Sequence, residues 1–148
     1  MKKTLLIWIG FNIILWAGFS RNGVGIVTDN ITKLQWQDDY RDNNRVIKQD
    51  NWNNAIDYCE ALTLGGFNDW RLPNINELTS IIDFDIFNTI ISAKIFNTFV
   101  NTRNGNYWSS TNNTGYSSNT WNVDFDNGTT SGDRNINKSF VRCVRAGK

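Results

Sequence analysis

The chain has 148 residues, with fifteen Lys and Arg against fourteen Asp and Glu, so its formal net charge is +1. That length suits one domain with its own hydrophobic core, and that balance leaves no basic field to draw in nucleic acid. Histidine is absent, which removes Ser-His-Asp and Cys-His catalysis, His-ligated zinc and imidazole pH switching.

The first residues, MKKTLLIWIGFNIILWAGFS, place Lys2 and Lys3 before an apolar run from Leu5 to Phe19, with small residues at Ala17, Gly18 and Ser20. This is the layout of a secretory signal peptide over residues 1–20. The run is interrupted by Gly10 and Asn12 and is short against the roughly twenty residues of a membrane span. No stable span is therefore expected in the mature chain; an uncleaved anchor or a buried structural segment are the alternatives. An exported domain is secreted or displayed at the cell surface, where the two cysteines, Cys59 and Cys143, meet an oxidising environment and are expected to pair. Their loop of about 85 residues corresponds to roughly 4 to 5 kcal/mol in the chain-entropy picture. Two separate buried thiols are the competing reading.

From Gly25 onward, Ile26 and Val27, a turn at Asp29 and Asn30, and alternating Leu34 and Trp36 predict a hairpin. Residues 41 to 51 are polar and irregular. Trp52, Ala55, Ile56, Cys59 and Leu62 then recur at helical spacing, which turns Cys59 into the core. Gly65 and Gly66 are expected to close that helix in the left-handed conformation. In the following extended piece, Trp70 and Leu72 share one face and Asp69 and Arg71 the other. Pro73 disfavours helix at Leu72, and Asn74 with Glu77 has capping-box spacing ahead of the apolar stripe Ile75, Leu78, Ile81, Ile82. Residues 83 to 105 are rich in Ile and Phe without a clear period. Beyond them NYWSST, NTWNVDFDNGT and KSFVRCVRAG read as strands separated by Asn, Ser, Thr and Gly. Helices beside a terminal antiparallel sheet define an α+β architecture in one domain, 22–148.

Several groups of residues suggest chemistry. Asp69, Arg71 and Glu77 resemble an acid/base set of the sort used in glycoside hydrolysis, but local pairing and capping account for them, and Gly66, Trp70, Arg71, Leu72, Pro73 and Glu77 read as a structural joint. Asp124, Asp126 and Asp133 offer oxygen ligands of the kind calcium takes, yet the distal Glu of a calcium loop is missing and Asn127-Gly128 is a strong hairpin signal. No metal or other cofactor is expected. Trp108 and Trp121 are expected to fill the core. Tyr116, set among Asn112, Asn113, Ser117, Ser118 and Asn119, is the better ligand contact, because isolated tyrosines in polar loops suit recognition. Arg134, Lys138, Arg142 and Arg145 either meet an anionic group or form a solvated strand face; Arg134 joins the candidate ligand set.

Six ordered motifs, VTDNITKLQWQDD, NWNNAIDYCEAL, LGGFNDWRLPNINELTSIID, YWSST, WNVDFDNG and VRCVRAGK, resemble the Lcl C-terminal domain family, a bacterial extracellular module found alone or at the ends of collagen-like adhesins. The resemblance covers residues 22 to 148. It implies a C-type lectin-like fold, two helices packed on a small antiparallel sheet with long irregular loops, in which a disulfide commonly ties the first helix to the last strand. It also implies a binding role, and some members are described as binding sulfated glycans. The calcium-binding Glu-Pro-Asn loop of sugar-binding C-type lectins has no match here, since Pro73 is the only proline and WNVD only approximates Trp-Asn-Asp. The resulting expectation is a secreted or surface-exposed, non-enzymatic, adhesin-like module for a glycan or a protein. A structural or assembly module, and an oxidoreductase related to the formylglycine-generating enzymes, are the alternatives.

Overall fold

The computed structural model describes residues 18–83 and 97–147. Residues 1–17 of the expected signal segment, and the stretch 84–96 of the aperiodic middle, lie outside the described residues. Within them the chain is α+β, with two helices and two sheets.

Strands β1 (Phe19–Arg21), β2 (Ile26–Asp29) and β3 (Leu34–Gln37) form an antiparallel meander. The expected hairpin is the β2–β3 pair, with Val27 opposite Trp36. β1 contains Phe19 and Ser20, the last apolar and small residues of the stretch read as a signal. A 3-10 turn (Arg41–Asn43) and β4 (Gln49–Asp50) lead into helix α1 (Trp52–Ala61). Asn51 caps α1 by accepting the N–H of Asn54 through its side chain, which satisfies one of the free donors of the first turn. Helix α2 (Ile75–Thr79) starts from the full capping box of Asn74 and Glu77, as the spacing predicts. Strands β5 (Asn106–Asn112), β6 (Asn119–Asp124), β7 (Thr129–Arg134), β8 (Ser139–Phe140) and β9 (Val144–Ala146) follow.

The terminal segment KSFVRCVRAG does not make one strand. β8 joins a five-stranded sheet in the order β4-β8-β5-β6-β7, while β9 completes a four-stranded sheet in the order β1-β2-β3-β9. All pairings are antiparallel except β5 with β8. The chain thus crosses between two sheets at Val141–Cys143, all buried, and the single small sheet expected from sequence is two.

The glycines correct a second expectation. α1 already ends at Ala61, with Leu62 extended behind it. Gly65 and Gly66, at φ 66° and 80°, instead form the two central residues of a tight hairpin in which Leu64 and Phe67 exchange both backbone hydrogen bonds at 3.1 Å. Two consecutive positive φ values are what a two-residue hairpin of matching twist requires. A side chain on Gly65 would place its Cβ 2.5 Å from Ile26 Cδ1.

The core has two parts. One gathers Val27, Trp36, Leu78, Ile81, Tyr107, Val123 and Phe125 where α2 lies on β5 and β6; Tyr107 meets Phe125 edge to face at 5.0 Å. The other gathers Ile26, Ala55, Cys59, Trp70, Leu72, Trp108 and Cys143 around α1. Cys59 and Cys143 are joined by a disulfide with Cα atoms 5.4 Å apart, so α1 is tied to the residue immediately before β9, and neither cysteine is free.

Trp70 and Leu72 are buried as predicted. Arg71 exchanges two 2.9 Å backbone hydrogen bonds with Val144, and Ser110 donates its N–H to the Pro73 carbonyl at 2.7 Å. The segment 70–73 therefore joins one sheet to the other. Asp69 and Arg71 do not pair with each other. Asp69 accepts from Arg145 at 2.6 Å, and Arg71 donates twice to Glu77, at 2.6 and 2.8 Å.

Candidate binding face

All six residues proposed as ligand contacts come together at one end of the five-stranded sheet. β5 and β6 meet in antiparallel register at Asn112 and Thr120, and β6 meets β7 at Asn119 and Arg134. Between Asn112 and Asn119 the chain makes a compact loop rather than a long excursion. Asn113 N–H donates to the Asn119 carbonyl at 3.0 Å, Tyr116 N–H to Asn113 at 3.1 Å, and Asn119 N–H to Tyr116 at 2.9 Å. The Asn113 side chain accepts the N–H of Gly115 at 3.0 Å, an Asx turn that fixes the loop locally.

The loop rests on a fixed base. Ser118 offers its carbonyl to Asn135 N–H at 2.9 Å, and the Asn135 carbonyl accepts Trp52 N–H at 3.0 Å. Thr120, fully buried, donates its hydroxyl to the Asn135 side chain at 2.7 Å. On the β7 side, a Cβ on Gly132 would lie 2.7 Å from Asn113 Nδ2, so the Asn113 amide lies over the strand where no side chain stands. The backbone N–H groups of Asn113, Gly115, Tyr116 and Asn119 are thus spent internally, while the side chains of Asn112, Tyr116, Ser118 and Arg134 are exposed. Tyr116 is 69% exposed, and Arg134 makes no ion pair among the described residues. Ile136, 70% exposed, stands next to Asn135 on the same end; sequence reading missed it because a lone Ile in a polar turn carries no periodicity.

The other late basic residues are not part of this face. Arg142 is fully buried, donating to Asp38 Oδ1 at 3.1 Å, to the Gln37 carbonyl at 2.7 Å and to the Asn101 carbonyl at 2.5 Å. Arg145 is also buried, bonded to Asp69 and to the Gln35 side chain, with its guanidinium 3.7 Å from the centre of the Phe67 ring. They are structural ion pairs and not a solvated strand face, because both guanidiniums are buried against Asp38 and Asp69. Lys138 stays exposed.

Trp108 is fully buried and donates its ring N–H to the Asp50 carbonyl at 2.9 Å. Trp121, expected in the core, is only half-buried: its partner across β7 is Gly132, which offers no side chain to cover the ring. The aspartates read as oxygen ligands serve turns. Asp124 accepts Asp126 N–H and the Asn127 amide, both at 2.8 Å, and Asp133 accepts Arg134 N–H and the Asn137 amide. The Asn127-Gly128 hairpin forms as predicted, with Thr129 opposite Asp124.

The concave features lie elsewhere. A hollow of about 290 Å³ is lined by Gly23, Asp39, Tyr40, Arg41, Arg45 and Asn101, and one of about 260 Å³ adjoins it across Asp39 and Arg41 toward Leu62 and Gly65. Arg41 pairs with Asp39 at 2.8 Å. Burial works against the Asp39 carboxylate, but Arg41 prevails and holds its pKa below the ordinary value. Arg45 is exposed, without an ion pair among the described residues, and adopts φ 62° next to Asn44 at 55°. Nothing in the sequence marks this region, since its residues are brought together from three separate turns.

Residues 25–145 match the family model of the Lcl C-terminal domain. The chain belongs to this family. No curated protein matches it in sequence.

Proposed function

We propose that this Lcl C-terminal domain is a secreted or surface-exposed, non-enzymatic binding module of C-type lectin-like fold, contacting a glycan or a protein through Asn112, Asn113, Tyr116, Ser118, Asn119 and Arg134. The observation that carries the reading is the exposed Tyr116 ring held among amide and hydroxyl side chains on a loop closed by the backbone hydrogen bonds of Asn113, Tyr116 and Asn119. Such a face pays little ordering entropy on binding. An aromatic ring with adjacent amides fits the apolar faces and hydroxyls of a sugar, or a polar protein surface.

Export is supported by the disulfide, which persists in oxidising compartments. Because that bond consumes both cysteines of the chain, a thiol-dependent oxidoreductase reading loses its reactive groups. No helix among the described residues is long and apolar enough to cross a membrane. The test is a glycan array run with and without calcium and at two salt concentrations. Signal that survives calcium removal supports the reading, and silence on every glycan favours a protein partner or a structural role.

A further inference from the structure

Asparagine followed by glycine occurs three times in the chain, at Asn22-Gly23, Asn104-Gly105 and Asn127-Gly128. Glycine lacks the Cβ that hinders ring closure, so at each pair the glycine nitrogen can attack the asparagine side-chain carbon. A C–N bond forms, ammonia leaves, and water opens the resulting succinimide at either carbonyl to give aspartate or isoaspartate. The reaction needs a glycine N–H free to lose its proton and an asparagine amide free to rotate onto it.

The fold withholds both conditions at Asn127 and the second of them at Asn22. At Asn127 the side chain is fully engaged, accepting Thr129 N–H at 2.9 Å and its hydroxyl at 2.6 Å while donating to Asp124 at 2.8 Å. The attacking nitrogen of Gly128 is itself donated to the Asp124 carbonyl at 2.7 Å. At Asn22 the side-chain oxygen is pinned by the N–H groups of Val24 and Ile26, at 3.1 and 2.9 Å. Asn104 is exposed, and neither its side chain nor the N–H of Gly105 has a hydrogen-bond partner among the described residues. Gly105 is also held at φ 116°, so another residue there would strain the backbone.

We infer that Asn104 is a site of spontaneous modification, converting by cyclisation onto Gly105 to aspartate and isoaspartate in the folded protein while Asn22 and Asn127 are spared. The product puts a carboxylate beside Arg103, and isoaspartate inserts an extra main-chain carbon. The insertion falls between the Arg103 N–H bonded to the Tyr107 hydroxyl at 3.0 Å and the Gly105 carbonyl that accepts Phe125 N–H at 3.1 Å. The conversion would therefore loosen the lead into β5.

The experiment ages the purified protein at mildly alkaline pH and follows each Asn-Gly peptide by mass spectrometry and isoaspartyl methyltransferase labelling, beside a sample in urea. In the folded protein Asn104 should convert roughly tenfold or more faster than Asn127, the factor that one or two lost hydrogen bonds imply; in urea the three should react alike, and Asn104→Gln should remove the fast phase. Conversion starting at Asn22 or Asn127, or equal rates at all three in the folded protein, would overturn the assignment.

Discussion

Arg142 Nη1 lies 3.1 Å from Asp38 Oδ1, and neither side chain has any solvent exposure. Asp38 also accepts Arg21 at 2.7 Å and the backbone N–H groups of Val100 and Asn101, each at 3.0 Å. One carboxylate thus gathers β1, the 97–103 segment and the crossing between the sheets. Removing one partner strands the other charge in a dry site, which costs about 3–5 kcal/mol. Asp38→Ala and Arg142→Ala should each lower unfolding stability by that amount in urea titrations. Losses under 1 kcal/mol would mean that the pair is solvated.

The Cys59–Cys143 bond closes a long loop. Reduction, or the double change to Ser, should lower stability by about 2–5 kcal/mol. Thiol titration of the unreduced, denatured protein should find no reactive cysteine.

Glu77 both caps α2 and grips Arg71. Burial works against its carboxylate, but Arg71 and the N–H of Asn74 outweigh it, so its pKa falls below the ordinary 4.5. A depressed carboxylate stabilises the fold above the unfolded-state value and loses that contribution as pH falls through the folded one. Glu77→Gln should therefore flatten the stability-versus-pH curve below about pH 4.5 and cost about 1 kcal/mol at neutral pH. An unchanged acid slope would show the pair contributes nothing.

The two tryptophans on the five-stranded sheet should behave differently. Trp108→Ala empties a fully buried site and should cost about 3–5 kcal/mol. Trp121→Ala, at a half-buried position opposite Gly132, should cost clearly less. Equal losses in thermal unfolding would place both rings in the core.

Where one local rule governs, the sequence was legible. The β2–β3 hairpin, α1, the Asn74–Glu77 cap and the Asn127-Gly128 turn all follow from spacing or turn chemistry within a few residues, and the pairing of Cys59 with Cys143, 84 residues apart, follows from there being two cysteines in an exported chain. The failures are long-range. Arg142 and Arg145 read as surface cations because their partners, Asp38 and Asp69, lie far away in sequence. Gly65 and Gly66 suit a helix stop and a tight hairpin equally, and the choice was made by Phe67 returning to Leu64. The division of the last segment between two sheets is a fact of topology that no periodicity carries. The candidate loop face was chosen from composition alone, whereas the hollow at Arg41 and Arg45 could be seen only once three turns had met.

The most direct test of the binding face is the glycan array repeated with Tyr116→Ala and Arg45→Ala. Tyr116→Ala should weaken binding roughly tenfold with unfolding stability unchanged, and Arg45→Ala should leave binding intact. Binding that ignores Tyr116→Ala and disappears with Arg45→Ala would contradict the account and move the site to the hollow beside Asp39.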